Sequence, residues 1–379
     1  MAKLGRELKS QGINIVDLSL GEPDFKTPEH ICEAAVKAIR DGFTKYTPVA
    51  GIPELRAAVC EKLLRDNGLS YEPAQVIVST GAKQSLANAI LSLINAGDEV
   101  LIPTPYWVTY SALVQLANGV SRFIPCTIDH DFKVTPEQLE RSITPQTRLF
   151  IFSSPCNPSG SVYSRDELAG LAAVFARHPQ IMIISDEIYE YINYAGRHES
   201  IAQFPEIKEQ VVVINGFSKG FAMTGWRLGY MAGPKALADA CEKLQGQFTS
   251  AANSITQKAG VTALLGDMTP TRLMTEAFRQ RRDYVIGSLR SIPGVKVNNP
   301  PGAFYAFPDI SHFFGKTDGV TTILNDEGMS MYLLHTAHVS TVCGSAFGSP
   351  ECIRLSFATS MEQLEEAMQR ISRALAALH

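Results

Sequence analysis

VIVSTGAKQSLANAILSLINAGDEVLI, residues 76–102, holds the strand–helix–strand unit on which the fold of this chain turns. Val76-Ile77-Val78-Ser79 has the unbroken apolar character of a strand buried on both faces. From Ala82 to Asn95, Leu86, Ala89, Ile90 and Leu93 recur at helical spacing, and Gly97 stands just past the end. Val100-Leu101-Ile102 then resumes the strand pattern. The alternation continues outward through Leu149-Phe150-Ile151-Phe152, Ile181-Met182-Ile183-Ile184 and Val211-Val212-Val213-Ile214. Between the first two of these runs, Ser164 and Glu167 form a capping box ahead of the stripe Leu168, Leu171, Ala172 and Phe175. Strand and helix in this order predict an α/β fold, a largely parallel sheet covered by helices.

After about residue 265 the texture changes. A helical stretch marked by Leu273, Ala277, Tyr284 and Leu289 stops at Pro293-Gly294. Short strands are expected around Phe304-Tyr305-Ala306-Phe307 and Ile353-Arg354-Leu355-Ser356-Phe357. A last helix aligns Leu364, Ala367, Met368, Ile371 and Leu375. This predicts a smaller α+β domain, with the segment before Glu22 packed against it: a large domain over 22–265, and a small one from 1–21 and 266–379.

At 379 residues the chain is long enough for two domains. Its 34 basic and 38 acidic side chains give a formal charge of -4, so no basic excess points to nucleic acid. No run of 18 apolar residues suggests a membrane span, and Met1 to Lys9 lacks the apolar core of a signal peptide. Seven scattered cysteines without a Cys-x-x-Cys pair fit a reducing, cytoplasmic setting better than a disulfide framework. His335 and His338 could face one way on a helix, but no carboxylate or cysteine completes a zinc spacing, and no metal is expected. The whole reads as a soluble protein that binds something small.

Parallel sheets place ligands beyond the carboxyl ends of their strands. Thr80-Gly81-Ala82-Lys83 opens directly into a helix, as an anion cradle or as an ordinary βα turn. No GxGxxG or P-loop pattern occurs. Ser153-Ser154-Pro155-Cys156-Asn157-Pro158 fixes one amide at a strand end, for a ligand or for a structural Asx-turn. Ser185-Asp186-Glu187-Ile188-Tyr189 puts two carboxylates and a phenol where burial is costly unless something cationic meets them. Asn215-Gly216-Phe217-Ser218-Lys219 brings a lysine to the same rim, with Arg227 eight residues on. A buried lysine among other cations loses basicity and becomes a nucleophile able to form a Schiff base. Gly216-Phe217-Ser218-Lys219-Gly220 also matches a hydrolase nucleophile elbow, but Thr224-Gly225 interrupts the helix that must follow, and no oxyanion motif appears.

Together, Ser185-Asp186-Glu187-Ile188-Tyr189 and Gly216 through Arg227 resemble the pyridoxal-phosphate signature of the class I/II aminotransferases, fold type I. The resemblance covers nearly the whole chain. It includes Gly21-Glu22-Pro23-Asp24-Phe25, Lys45-Tyr46-Thr47-Pro48, Pro105-Tyr106-Trp107-Val108, Asn157-Pro158 and Ile353-Arg354-Leu355-Ser356, and is nearest to the bacterial-type aspartate and prephenate aminotransferases. It implies a mostly parallel seven-stranded sheet, pyridoxal 5′-phosphate as cofactor, amino acid and 2-oxo acid as substrates, a ping-pong mechanism, and a homodimer with shared sites. Lys219 would hold the cofactor as a Schiff base and carry the proton. Asp186 would pair with the ring nitrogen, Tyr189 and Asn157 with the ring's 3-oxygen, and Trp107 would stack on the ring. Arg227, Ser218 and the Gly81, Ala82 and Lys83 backbone would hold the phosphate, with Tyr46 coming from the neighbouring subunit. Arg354 would grip the substrate α-carboxylate, with Gly21 and Asn157 beside it, and Lys83 would meet a distal carboxylate.

Two departures stand against that pattern. Many relatives have serine where this chain has Gly216, so a phosphate contact is expected from elsewhere, Ser218 being the candidate. Relatives also carry some twenty residues before Lys9-Ser10-Gln11-Gly12, and a more open pocket with broader selectivity is expected here. Aspartate with 2-oxoglutarate is the first expected substrate pair and prephenate with glutamate or aspartate the second. A lyase or synthase on the same fold, an inactive regulatory relative and a serine hydrolase are the competing classes.

Overall fold

A computed structural model describes residues 2–379. An opening helix, Ala2–Ser10, leads to a two-residue strand, β1 (Val16–Asp17). Seven strands then form the central sheet: β2 (Val76–Ser79), β3 (Glu99–Thr104), β4 (Val120–Pro125), β5 (Thr147–Ser153), β6 (Met182–Asp186), β7 (Val211–Gly216) and β8 (Gly229–Ala232). Their order is β2-β8-β7-β6-β5-β3-β4. Only β8 runs against its neighbours, β2 and β7; every other pairing is parallel.

The unbroken apolar runs are explained by a core on each face. Leu149, Ile151, Ile184, Val212 and Ile214 pack with Leu86, Ala89 and Ile90 on one side. Phe150, Phe152, Ile183, Val211 and Val213 meet Leu55, Leu168, Leu171 and Phe175 on the other. Ser164 caps its helix as expected, its side chain accepting from the Glu167 N–H. Sequence patterning passes over two strands. β4 lies at the sheet edge with Val120 and Phe123 half-exposed, so it carries no buried run. β8, Gly229-Tyr230-Met231-Ala232, opens on the tight approach of Gly229 to the helix Ala82–Leu93: a Cβ there would lie 2.2 Å from the Ala82 nitrogen.

The remaining strands are β9 (Tyr305–Ala306), β10 (Val339–Ser340), β11 (Val342–Cys343) and β12 (Ile353–Ser356). β11, β12 and β9 form an antiparallel sheet, while β10 pairs in parallel with β1. Their core joins Val16 and Leu18 to Phe278 and Leu289 of the helix Thr269–Arg290, and to Leu364, Ala367, Met368, Ile371 and Leu375 of the helix Met361–Ala376. On the longer helix the buried face differs from the expected one. Leu273 is 66% exposed, and Met274, Phe278, Val285, Ile286 and Leu289 supply the stripe at steps of three, four and seven. His335 lies in a π-helical turn and His338 in a left-handed conformation, so the two do not share a regular helix face.

Candidate active site

A cavity of about 440 Å³ opens at the carboxyl ends of β3, β5, β6 and β7. This is the crevice where strand order reverses, with β4 on one side of β3 and β5 on the other. β6 ends on Asp186, which is buried, and the Tyr110 hydroxyl donates to its Oδ2 at 2.7 Å. Burial pushes the Asp186 carboxyl up to about 6, although the Tyr110 hydrogen bond opposes the shift.

Lys219 follows β7. Burial lowers its amine to about 8; Glu22 opposes this, while Arg354 and Arg227 add to it. The expected depression by burial and neighbouring cations is therefore present, and the Lys219 amine donates to the Gly21 carbonyl. A Cβ on Gly21 would lie 2.8 Å from the Tyr305 hydroxyl, so a bare backbone is required where this segment closes the cavity.

Arg354, on β12, enters from the smaller sheet. Its Nη1 donates to Asn157 Oδ1 at 2.9 Å and its Nη2 to the Ser19 carbonyl at 2.8 Å. The guanidinium lies 4.5 Å from the Tyr305 ring centre and 5.0 Å from that of Phe347. Its Nε is buried with no hydrogen-bond partner among the described residues, a donor that calls for an anion. Tyr189 is buried beside it, its hydroxyl 2.7 Å from that of Tyr305.

The other end of the cavity is built on a turn. Gly81, at φ 82°, precedes the helix Ala82–Leu93, and a Cβ there would lie 2.5 Å from Arg227 Nη2. Arg227 itself has φ 53°, a conformation costing about 1–3 kcal/mol for a bulky residue, held in part by its bond to the Thr224 carbonyl at 2.9 Å. Ser218 lines the cavity on the same side. Gly216 pairs with Gly229, and a Cβ at 216 would press on Gly229 Cα and the Leu228 carbonyl at 3.0 Å, so a serine there would fit only if that backbone gave way slightly. Lys83 reaches the cavity with its amine 4.8 Å from the Trp107 ring centre, and burial and Arg227 lower its basicity.

Gly21, Ala82, Lys83, Trp107, Asn157, Asp186, Tyr189, Ser218, Lys219, Arg227 and Arg354 all line this cavity, and Gly81 shapes its wall. Tyr46 does not: it is 98% exposed, in a surface groove with Thr44, Thr47 and Asn253. Sequence reading missed Tyr110, Ser153, Thr224 and Tyr305. Tyr110 was findable, three residues past Trp107 at the start of a helix. Tyr305 was not, since one tyrosine in a short apolar strand reads as core. The nucleophile-elbow reading of Ser218 finds no support, because neither His335 nor His338 lines the cavity and no α-helix follows β7 before residue 235.

A family model described as aminotransferase class I and II matches residues 13–371. The chain is 49% identical over 375 residues to a bifunctional aspartate aminotransferase and glutamate/aspartate-prephenate aminotransferase of Petunia hybrida, covering 97% of this chain and 78% of that protein. It is 46% identical to an aspartate/prephenate aminotransferase of Nitrosomonas europaea, with 99% and 95% covered. Among solved structures, the aspartate aminotransferase of Rhizobium meliloti superposes with a TM-score of 0.97 at 44% identity, over 100% of this chain and 95% of that one.

Proposed function

Since this chain belongs to the class I and II aminotransferases, we propose that it moves the amino group of aspartate to 2-oxoglutarate, giving oxaloacetate and glutamate. It is a pyridoxal phosphate enzyme. The cavity suits that cofactor chemically: a glycine turn and Arg227 for the phosphate, a buried carboxylate for the ring nitrogen, and an amine of lowered basicity for the aldehyde. When bound, the cofactor supplies an electron sink for the α-carbon as its proton leaves.

This chain's own residues do the rest. Lys219 Nζ would hold the cofactor and would take and return the substrate's α-proton; an amine at about 8 is partly unprotonated near neutrality. Asp186 would stabilise positive charge at the ring nitrogen, Tyr189 and Asn157 would hydrogen-bond the 3-oxygen, and Trp107 would stack on the ring. The Gly81, Ala82 and Lys83 backbone, with Ser218 and Arg227, would hold the phosphate. Arg354 offers its fork, with the unpartnered Nε, to the α-carboxylate, and Gly21 closes over it.

The observation that carries the preference for aspartate is Lys83, a cation at the cavity beyond Lys219, Arg227 and Arg354, which this reading commits to the aldehyde, the phosphate and the α-carboxylate. A distal carboxylate in a partly desolvated site needs such a partner. Lys83→Ala should raise the KM for aspartate and glutamate at least tenfold, roughly the scale of one charge-assisted contact, and leave alanine and phenylalanine nearly unchanged. Equal losses for acidic and neutral substrates would place Lys83 in the phosphate grip instead. Prephenate is the second acceptor, favoured by the names of several relatives; half-reactions followed by absorbance, bleached by amino acid and restored by oxo acid, rank the two.

Residues 22–265 would form the large domain, and 1–21 with 266–379 the small one, in keeping with the β1–β10 pairing and the shared core. We further propose a cytoplasmic homodimer in which exposed Tyr46 completes the partner's site. Mixed Tyr46→Phe and Arg354→Ala subunits should then recover part of the activity each lacks, and a fully active monomer by light scattering would exclude the arrangement. Among the described residues no helix is long and apolar enough to cross a membrane.

A further inference from the structure

Tyr110 has no role in the assignments above, yet it makes the shortest hydrogen bond to Asp186. It stands in the first turns of the helix Thr109–Leu116, is 1% exposed, and sets its ring edge-on to Trp107 at 5.8 Å. Its hydroxyl donates to Asp186 Oδ2 at 2.7 Å, while Oδ1 accepts the Ile188 N–H at a longer 3.3 Å. Burial and the adjacent carboxylate push the ionisation of this phenol well above its ordinary range, so it remains a donor throughout the working pH range. Ser153, at the end of β5, faces the Tyr110 hydroxyl; the other groups facing Asp186 are Cys156 just beyond β5, Glu187 and Tyr189 on its own segment, and Lys219 across the cavity. Lys219 favours the anion but must give up its charge to act as a base, and Glu187 disfavours it. Tyr110 is therefore the neutral side-chain donor to Asp186, beside the longer backbone contact from Ile188.

We propose that Tyr110 is a positioning residue for Asp186: its O–H holds the carboxylate ionised and aimed into the cavity, and so keeps a shared proton on the cofactor's ring nitrogen rather than on the carboxylate. This rests on the reading that Asp186 meets that nitrogen. A hydrogen bond to the charged form makes a carboxylate a weaker base; removing it makes Asp186 a better competitor for the proton and leaves the ring a poorer electron sink.

The test is binding of pyridoxamine 5′-phosphate to the cofactor-stripped full chain as a function of pH. This probe has the ring and the phosphate but cannot condense with Lys219, and its own titration is common to every variant. Tyr110→Phe should move the acid-side midpoint of binding up by about one pH unit, tenfold in affinity below it. In the holoenzyme kcat should fall by about tenfold while the aspartate KM stays within about twofold, a split that belongs to an interaction made in the transition state. 3-Fluorotyrosine placed at Tyr110 keeps the packing with a more acidic hydroxyl and should move the midpoint down, which keeps the test decisive if the Phe variant fails to fold. Asp186→Asn should abolish the acid-side fall. If it does not, the assignment of Asp186 to the ring nitrogen fails and takes the proposal with it. If it does, and both Tyr110 variants leave the midpoint unmoved, the proposal alone is overturned.

Discussion

Asp186 and Glu187 are adjacent in sequence, both are buried, and they answer burial in opposite ways. On the cavity side, Asp186 has one phenol and one N–H, and its carboxyl is pushed up to about 6. On the far side of the same strand end, Glu187 accepts from the Ser185 hydroxyl at 2.9 Å and the Ser200 hydroxyl at 2.6 Å, and its Oε2 lies 3.1 Å from His198 Nε2. Burial favours its neutral form, but His198 and the two hydroxyls outweigh this and hold it below the ordinary carboxylate range. Burial likewise lowers His198, and Glu187 outweighs that to raise it. Glu190 completes the set against Lys62, which also donates to Asn67. Ligand atoms of Glu187, Glu190 and His198 lie within 4.8 Å of one another, but the Lys62 ammonium already supplies their positive charge. What separates the faces is charge pairing, not depth: on the cavity face Asp186 has no ion-pair partner among the described residues, while beneath the strand end Glu187 and Glu190 stand against His198 and Lys62.

Two lysines, half-buried Lys219 and fully buried Lys62, give the largest contrast. Lys219→Ala should reduce turnover by at least a thousandfold, roughly the range for losing a positioned base, while the cofactor still binds through Arg227 and the Gly81 turn. Lys62→Met leaves Glu190 buried and unpaired; it should cost about 3–5 kcal/mol of stability, and the fraction that folds should turn over within a few-fold of normal. Steady-state rates, cofactor retention and denaturant melts on both variants check this, and a comparable rate loss in Lys62→Met would erase the distinction between the faces.

The carboxylates come next. Asp186→Asn should lower kcat by more than about tenfold, 1.4 kcal/mol, yet stabilise the cofactor-free protein near neutral pH. The sign follows from linkage. The Asp186 acid is raised from 3.8 to about 6, so the folded state binds the extra proton between those values, stability falls as pH rises through them, and the deficit persists above. Removing the charge recovers on the order of 2–3 kcal/mol at pH 7.5 and nothing at low pH. Glu187→Gln should do the reverse. Its lowered carboxyl contributes stability above 4.5 that is lost on acidification, and raised His198 contributes stability below 6.5 that is lost as pH climbs past its folded value. Melting curves across this window should therefore cross for Asp186→Asn and Glu187→Gln; parallel curves would mean the two carboxylates share one environment.

The cavity face was more legible in sequence than the underside. Asp186, Lys219 and Asn157 each follow an unbroken apolar run, and a polar residue at a buried strand end is conspicuous. Tyr189 was legible as the phenol beside the carboxylate pair of Asp186 and Glu187, and Arg354 through the family resemblance alone. Lys62, Asn67 and His198 sit in stretches whose other residues are helical or irregular, and only the tertiary fold brings them beneath β6. The sheet was likewise legible where strands are buried on both faces and silent at the β4 edge and at β8, where exposure or close helix packing removes the apolar run. The helix Thr269–Arg290 was read at the right place with its face turned by one residue, because Leu273 is apolar and exposed.

The smallest contrast is between single hydroxyls, one removed from each carboxylate. Ser200→Ala deletes one of the donors to Glu187 and leaves Ser185 and His198 in place, so the anion stays paired. A hydrogen bond to a charged acceptor that keeps its ion pair is worth about 1.5 kcal/mol, and the melting temperature should drop by a few degrees with kcat and its pH profile unchanged. Tyr110→Phe deletes a bond of the same kind from Asp186, but the stability effect should have the same sign only above the Asp186 pKa, where the carboxylate is ionised and the donor matters. Below it the carboxyl is protonated in both proteins, and the penalty should fade. A pH-independent loss in Tyr110→Phe, equal to that in Ser200→Ala, would mean that both hydroxyls are structural, and that the cavity carboxylate differs from its neighbour only in which side of the strand it faces.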